Sequence, residues 1–64
     1  MNQLQAADTN FLTVKDVAER LRISERQVRR WIKTGDLTVH RLGGRIRIAP
    51  DDFALFLRQR RGVK

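Results

Sequence analysis

Cysteine is absent from this chain of 64 residues, so neither a disulfide framework nor a cysteine-based zinc site can staple the fold. The single histidine, His40, cannot build a metal site alone. Long apolar runs are missing too: none approaches the roughly 20 residues that a membrane-crossing helix needs. Met1 to Asn10 is polar and lacks the apolar stretch of a secretory signal. The marks of catalysis are equally scarce, with no cysteine nucleophile, no histidine beside an acid, no phosphate-cradling glycine loop and no carboxylate set at metal-ligand spacing. Asp51 and Asp52 adjoin each other, but Pro50 before them makes a helix start the better explanation. The expectation is a protein that is not an enzyme, without catalytic residues, metal, cofactor or small-molecule ligand, and without a membrane partner. A domain of this size buries only about 60% of the surface of its unfolded chain. Apolar packing must carry the fold, with a stability of a few kcal/mol.

Acidic residues are few against the basic ones. Seven Asp and Glu oppose fourteen Lys and Arg, a formal charge of +7. Residues 20 to 47 hold Arg20, Arg22, Arg26, Arg29, Arg30, Lys33, Arg41, Arg45 and Arg47, against Glu25 and Asp36 alone. The last residues add Arg58, Arg60, Arg61 and Lys64 with no acid. Most of these cations are Arg, whose planar fork suits bidentate contact with phosphate and guanine. A polyanion is the partner that this balance favours, over a merely soluble positive surface.

The pattern along the chain divides it into four elements. Thr13 can cap a first helix, with Asp16 at the position that a capping box fills with Glu or Gln. Val14, Val17, Ala18 and Leu21 follow at helical spacing. Arg22 and Ile23 interrupt, and Ser24 can cap a second helix in which Val28, Trp31 and Ile32 repeat the spacing. Gly35 is placed to close it in left-handed geometry. Leu37, Val39 and Arg41 then alternate, as do Arg45, Ile46, Arg47 and Ile48, with Gly43 and Gly44 between them as a two-residue hairpin turn. Pro50 and Asp51 start a third helix whose inward face is Phe53, Phe56 and Leu57, with Leu55 less clearly placed, and Gly62 marks its latest end. No internal repeat or linker interrupts the chain. The expected class is a small α+β fold, mostly helical, in the order helix, helix, β-hairpin, helix: a winged helix-turn-helix. Residues 1–10 are expected to be a flexible leader, 11–60 the domain and 61–64 a basic tail.

The second helix separates its chemistry. At about 100° per residue, Val28, Trp31 and Ile32 point one way and Arg26, Arg29, Arg30 and Lys33 the other. Such a ridge repels itself until an anion neutralises it, the alternative being a solvated surface face. In helix-turn-helix docking, the first residues of the recognition helix reach base edges. Arg26 and Gln27, with Arg30 a turn on, are the candidates: Arg can grip guanine and Gln adenine through paired hydrogen bonds. Arg29 and Lys33 suit phosphates. Ser24 is primarily a cap, with a phosphate contact through its hydroxyl as a second role, and Glu25 is a complement to the helix dipole before it is an acceptor for cytosine N4. On the hairpin, Arg41, Arg45 and Arg47 flank or follow the glycines, and Gly44 leaves no side chain between the tip and a sugar-phosphate backbone. Arg45 is the choice for a phosphate or minor-groove contact; ordinary edge-strand charge is the other reading. Trp31, Phe53 and Phe56 are expected in the core and His40 on an exposed strand. Arg58, Arg60, Arg61 and Lys64 form either a phosphate-binding tail or a helix end whose cations favour the dipole.

Four segments in order, Leu12 to Leu21 with Ile23-Ser24, Val28 to Leu37, Arg41 to Ile48 and Asp52 to Leu57, resemble the excisionase-type DNA-binding proteins. That family shares the winged helix-turn-helix of MerR-type regulators, and the likeness covers about residues 11 to 58. It implies a recognition helix at 24–34 and a wing at 39–48. By position it assigns DNA contact to Arg26, Gln27, Arg29 and Arg30, and wing contact to Arg41, Arg45 and Arg47. MerR regulators follow this motif with a long dimerisation helix and an effector domain. This sequence stops at Lys64, so neither effector sensing nor coiled-coil pairing is expected. The implied role is an excisionase, binding double-stranded DNA at adjacent sites with cooperative self-association, bending it and assisting an integrase in the cytoplasm, associated with the nucleoid when bound. Two alternatives keep the DNA: a small transcriptional regulator, or a DNA binder like the small terminase subunits of phages. A third is a basic adaptor for an acidic protein partner.

Overall fold

The computed structural model describes residues 10–61. The expected leader up to position 9, the expected helix limit at Gly62 and the cation at Lys64 lie outside them. The first complete helix among the described residues, α1, is Val14–Leu21. Thr13 precedes it in an extended conformation, and its Oγ1 accepts the Asp16 N–H at 3.0 Å while Asp16 Oδ2 accepts the Thr13 N–H at 3.0 Å. Two otherwise unpaired amides are thus satisfied reciprocally, with Asp16 serving where Glu is usual. Hydrogen bonding of the carboxylate by the Thr13 N–H and then by the Thr13 hydroxyl, helped by Arg20 and Lys15, holds the Asp16 carboxyl below its ordinary pKa against a smaller opposing effect of desolvation.

Helix α1 ends at Arg22, which adopts the left-handed conformation at φ 58°. The amides of Arg22 and Ile23 turn back to the carbonyls of Glu19 and Ala18, closing the helix without the glycine that this geometry favours. The turn is short because Ser24 at once caps α2, Glu25–Thr34, accepting the Gln27 N–H at 3.1 Å. Gly35 ends α2 at φ 86°, a value at which most side chains are strained.

The chain then forms a two-stranded antiparallel hairpin of β1, His40–Leu42, and β2, Arg45–Arg47. Its register pairs His40 with Arg47, Arg41 with Ile46 and Leu42 with Arg45. Gly43 and Gly44 both have positive φ, 58° and 82°, as a type I′ turn requires. Leu37 does not belong to β1, contrary to the expected alternation. It follows the end of α2 directly, its N–H bonded to the Trp31 carbonyl at 3.1 Å, and is nonetheless fully buried. Leu12 exchanges backbone hydrogen bonds with Ile48 at 2.8 and 2.7 Å, which anchors the base of the hairpin to the segment before α1. Helix α3, Pro50–Gln59, opens on proline with Asp51 and Asp52 in its first turn.

The core is Leu12, Val14, Val17, Ala18, Val28, Leu37, Ile48, Phe53 and Phe56, with no charged residue buried among the described residues. Val17, Val28, Leu37 and Ile48 are its most deeply enclosed members, each contributing about 1.5–3 kcal/mol by burial. Leu57, expected inward, is exposed. It lies about 70° from the centre of the stripe that Phe53 and Phe56 define, and the core does not extend that far around α3. Leu55, on the far side of α3, is exposed as well. The three helices and the hairpin form the winged helix-turn-helix.

Candidate nucleic-acid interface

Helix α2 turns its two faces to different tasks. Val28 is buried, and Trp31 and Ile32 are half-buried against the core. Trp31 packs on Phe56 with ring centroids 4.8 Å apart, so its indole belongs to the fold and not to a stack of bases. On the opposite side Arg26, Arg29, Arg30 and Lys33 are exposed, flanked by exposed Ser24 and half-buried Gln27. These six residues border one open hollow of about 520 Å³. The structure therefore brings together the whole group that the sequence singled out on this helix.

The ridge is nearly free of counter-charge. Arg29 Nη2 lies 3.2 Å from Glu25 Oε1, one helical turn away, with both side chains well exposed. Such a pair is worth a few tenths of a kcal/mol and weakens with salt, so a phosphate can displace it. Among the described residues, Arg26, Arg30 and Lys33 make no ion pair. Ser24 Oγ is occupied as an acceptor by the cap, leaving its hydroxyl proton as a donor.

The hairpin divides its arginines between two faces, a separation that the sequence reading did not draw. Side chains alternate along strands, so the register sets Arg41 beside Ile46 on the face toward α2. There Arg41 and Ile46 share a hollow of about 190 Å³ with Arg29, Ile32 and Lys33, joining the wing's charge to the ridge of α2. Arg45 and Arg47 lie on the other face with Leu42, bordering a hollow of about 280 Å³ that Phe11 completes. Arg45 is exposed, whereas Arg47 is half-buried and donates from Nη1 to its neighbour's carbonyl, Ile46 O, at 2.9 Å. A Cβ added at Gly44 would meet nothing within 4 Å, so the turn's backbone angle and not crowding within the protein demands glycine there.

Two groups outside this surface have partners that no local pattern announces. Arg60 Nη2 lies 3.2 Å from Asp36 Oδ2, and its guanidinium stands 4.9 Å from the Phe56 ring centre and 5.4 Å from that of Trp31. It closes the end of α3 onto the end of α2 by charge and cation–π attraction, which for Arg60 favours the helix-end alternative over the phosphate-binding tail. Arg58 and Arg61 are exposed. His40 is exposed on β1, as its sequence position suggested, but its Nε2 is 3.6 Å from Asp52 Oδ2 and its ring stands edge-on to Phe11 at 5.5 Å.

Among the described residues no group of three or more His, Cys, Asp or Glu is placed to hold a metal ion, and no helix is long and apolar enough to cross a membrane. Residues 11–61 match the family described as a helix-turn-helix domain. No curated protein and no solved structure matches the chain.

Proposed function

We propose, for a chain that belongs to the helix-turn-helix domain family, that sequence-specific binding of double-stranded DNA serves the excision of a mobile element. Membership of the family supports the DNA binding itself. The single observation that carries the docking mode is the segregation on α2, with apolar side chains turned into the core and cations, of which Arg29 alone has an acidic partner among the described residues, turned out. Residues 11–60 act as the binding domain. Helix α2 enters the major groove, where Arg26, Gln27 and Arg30 meet base edges. Ser24, Arg29 and Lys33 hold phosphates, while the wing, through Arg41, Gly44, Arg45 and Arg47, rests on the adjacent backbone or minor groove.

The finer role is that of an excisionase, or recombination directionality factor, placing several copies side by side, bending the DNA and assisting an integrase. A module this small covers little DNA, so one copy binds weakly and neighbours are needed. The resemblance of Leu12 to Leu57 to excisionase-type proteins supports this role.

The test is footprinting on DNA flanking the gene at two salt concentrations, followed by an excision assay with the neighbouring integrase. The expected result is a run of adjacent protected sites and a rise in excision. One isolated footprint without effect on excision would leave a transcriptional regulator or a terminase-like DNA binder. No preference for any site over random duplex would remove specific DNA binding and favour an adaptor for an acidic protein.

A further inference from the structure

Leu42 ends β1 at the tip of the wing, 47% exposed, and it is not among the residues packed against the core. The hairpin register places Arg45 directly across from it and Arg47 two pairs further back on the same face. Gly43 and Gly44 follow it, with nothing within 4 Å of a Cβ built at either. The end of the wing thus presents one branched apolar side chain beside two guanidinium groups, over a turn bare of side chains. An aliphatic group has nothing to offer a phosphate. Between two phosphate rims, however, the minor groove offers the apolar faces of deoxyribose and, where a base step opens, of the bases themselves to Leu42, with the anionic rims for Arg45 and Arg47.

We infer that Leu42 is an apolar wedge, entering the minor groove between neighbouring base pairs and bending the duplex. The inference rests on the DNA-binding reading above and adds to it the residue that deforms the DNA. Leucine is among the side chains that minor-groove proteins insert between base steps, partly unstacking them and bending the duplex away. Leu55 and Leu57, the other exposed large apolar residues, lie on α3 and do not adjoin the wing tip.

The test compares the full chain with Leu42→Ala and Leu42→Met on the duplex selected by footprinting. Affinity is titrated at several salt concentrations, and bending is followed by energy transfer between dyes at the duplex ends. Leu42→Ala is expected to bind about fivefold more weakly, with a smaller bend and an unchanged salt slope, because no charge is lost. Leu42→Met, which keeps the apolar volume, is expected to retain the bend. Weaker binding with an undiminished bend overturns the wedge, as does a wild-type complex that leaves the duplex straight. Failure of the wild-type chain to prefer any duplex over random DNA would instead overturn the underlying DNA-binding reading.

Discussion

Arg26 and Arg45 carry the same head group and are both exposed, yet their surroundings suit them to different contacts. Arg26 stands in the first turn of α2 beside Gln27, where a groove-bound helix comes closest to base edges. Arg45 adjoins a bare glycine turn, where a phosphate is the nearer neighbour. Arg26→Ala is therefore expected to cost about 1–3 kcal/mol and to relax base preference at one position, whereas Arg45→Ala weakens binding on all sequences and lowers the salt slope by about one. Titrating both variants against specific and random duplexes checks this, and equal loss on every sequence for Arg26→Ala would move the base-reading role elsewhere. The sign and side of these arginines on α2 were legible because helical period alone separates them from Val28, Trp31 and Ile32. The work of Arg60 was not legible. It looks like one more tail cation until the fold brings Asp36 and Trp31, distant along the chain, to it and to Phe56, one helical turn before it.

At the scale of elements, local chemistry was the most legible layer. Thr13, Ser24 and Gly35 bound α1 and α2, and the pair Gly43-Gly44 sets the hairpin. Three features escaped because tertiary contact decides them: the bridge of Leu12 to Ile48, the burial of Leu37 outside any strand, and the exposure of Leu57. The end of α1 at Leu21 agrees with the interruption read at Arg22 and Ile23, but the left-handed conformation of Arg22 is not announced by its residue type. The reciprocal cap of α1 yields a prediction with a definite sign. Loss of one capping hydroxyl costs about 1 kcal/mol, so Thr13→Ala removes a sizeable part of a stability of a few kcal/mol. Asp16 titrates below its ordinary pKa in the folded chain, chiefly because the Thr13 N–H and hydroxyl bond its charged form. Its contribution is complete above the unfolded pKa and is lost as pH falls through the folded one. Asp16→Asn is thus expected to flatten the acid limb of a stability-against-pH curve measured by urea unfolding. Parallel limbs for the two proteins would show that the cap does not govern acid sensitivity.

For the whole molecule, the decisive feature is a cationic surface that runs from α2 onto Arg41 of the wing, with Arg45 and Arg47 on the other face of the hairpin. Arg29, Lys33, Arg41, Arg45 and Arg47 are the five cations directed at phosphates in the proposed docking. Each neutralised phosphate releases condensed counterions, with a slope of about −0.9 in log affinity against log salt. One copy should therefore show a slope of about −4 to −5. Copies seated side by side engage separate phosphates, so a duplex with two adjacent sites is expected to show about twice that slope for the doubly bound complex. Binding should also be tighter than two isolated sites would give, because the first copy raises the effective concentration of the second surface. Fluorescence anisotropy on one-site and two-site duplexes across a salt series measures both quantities. A slope near −1 would mean that the ridge and the wing do not engage the backbone together. A normal slope for one copy without cooperativity on two sites would preserve the docking and remove the assembly on which the excisionase role depends.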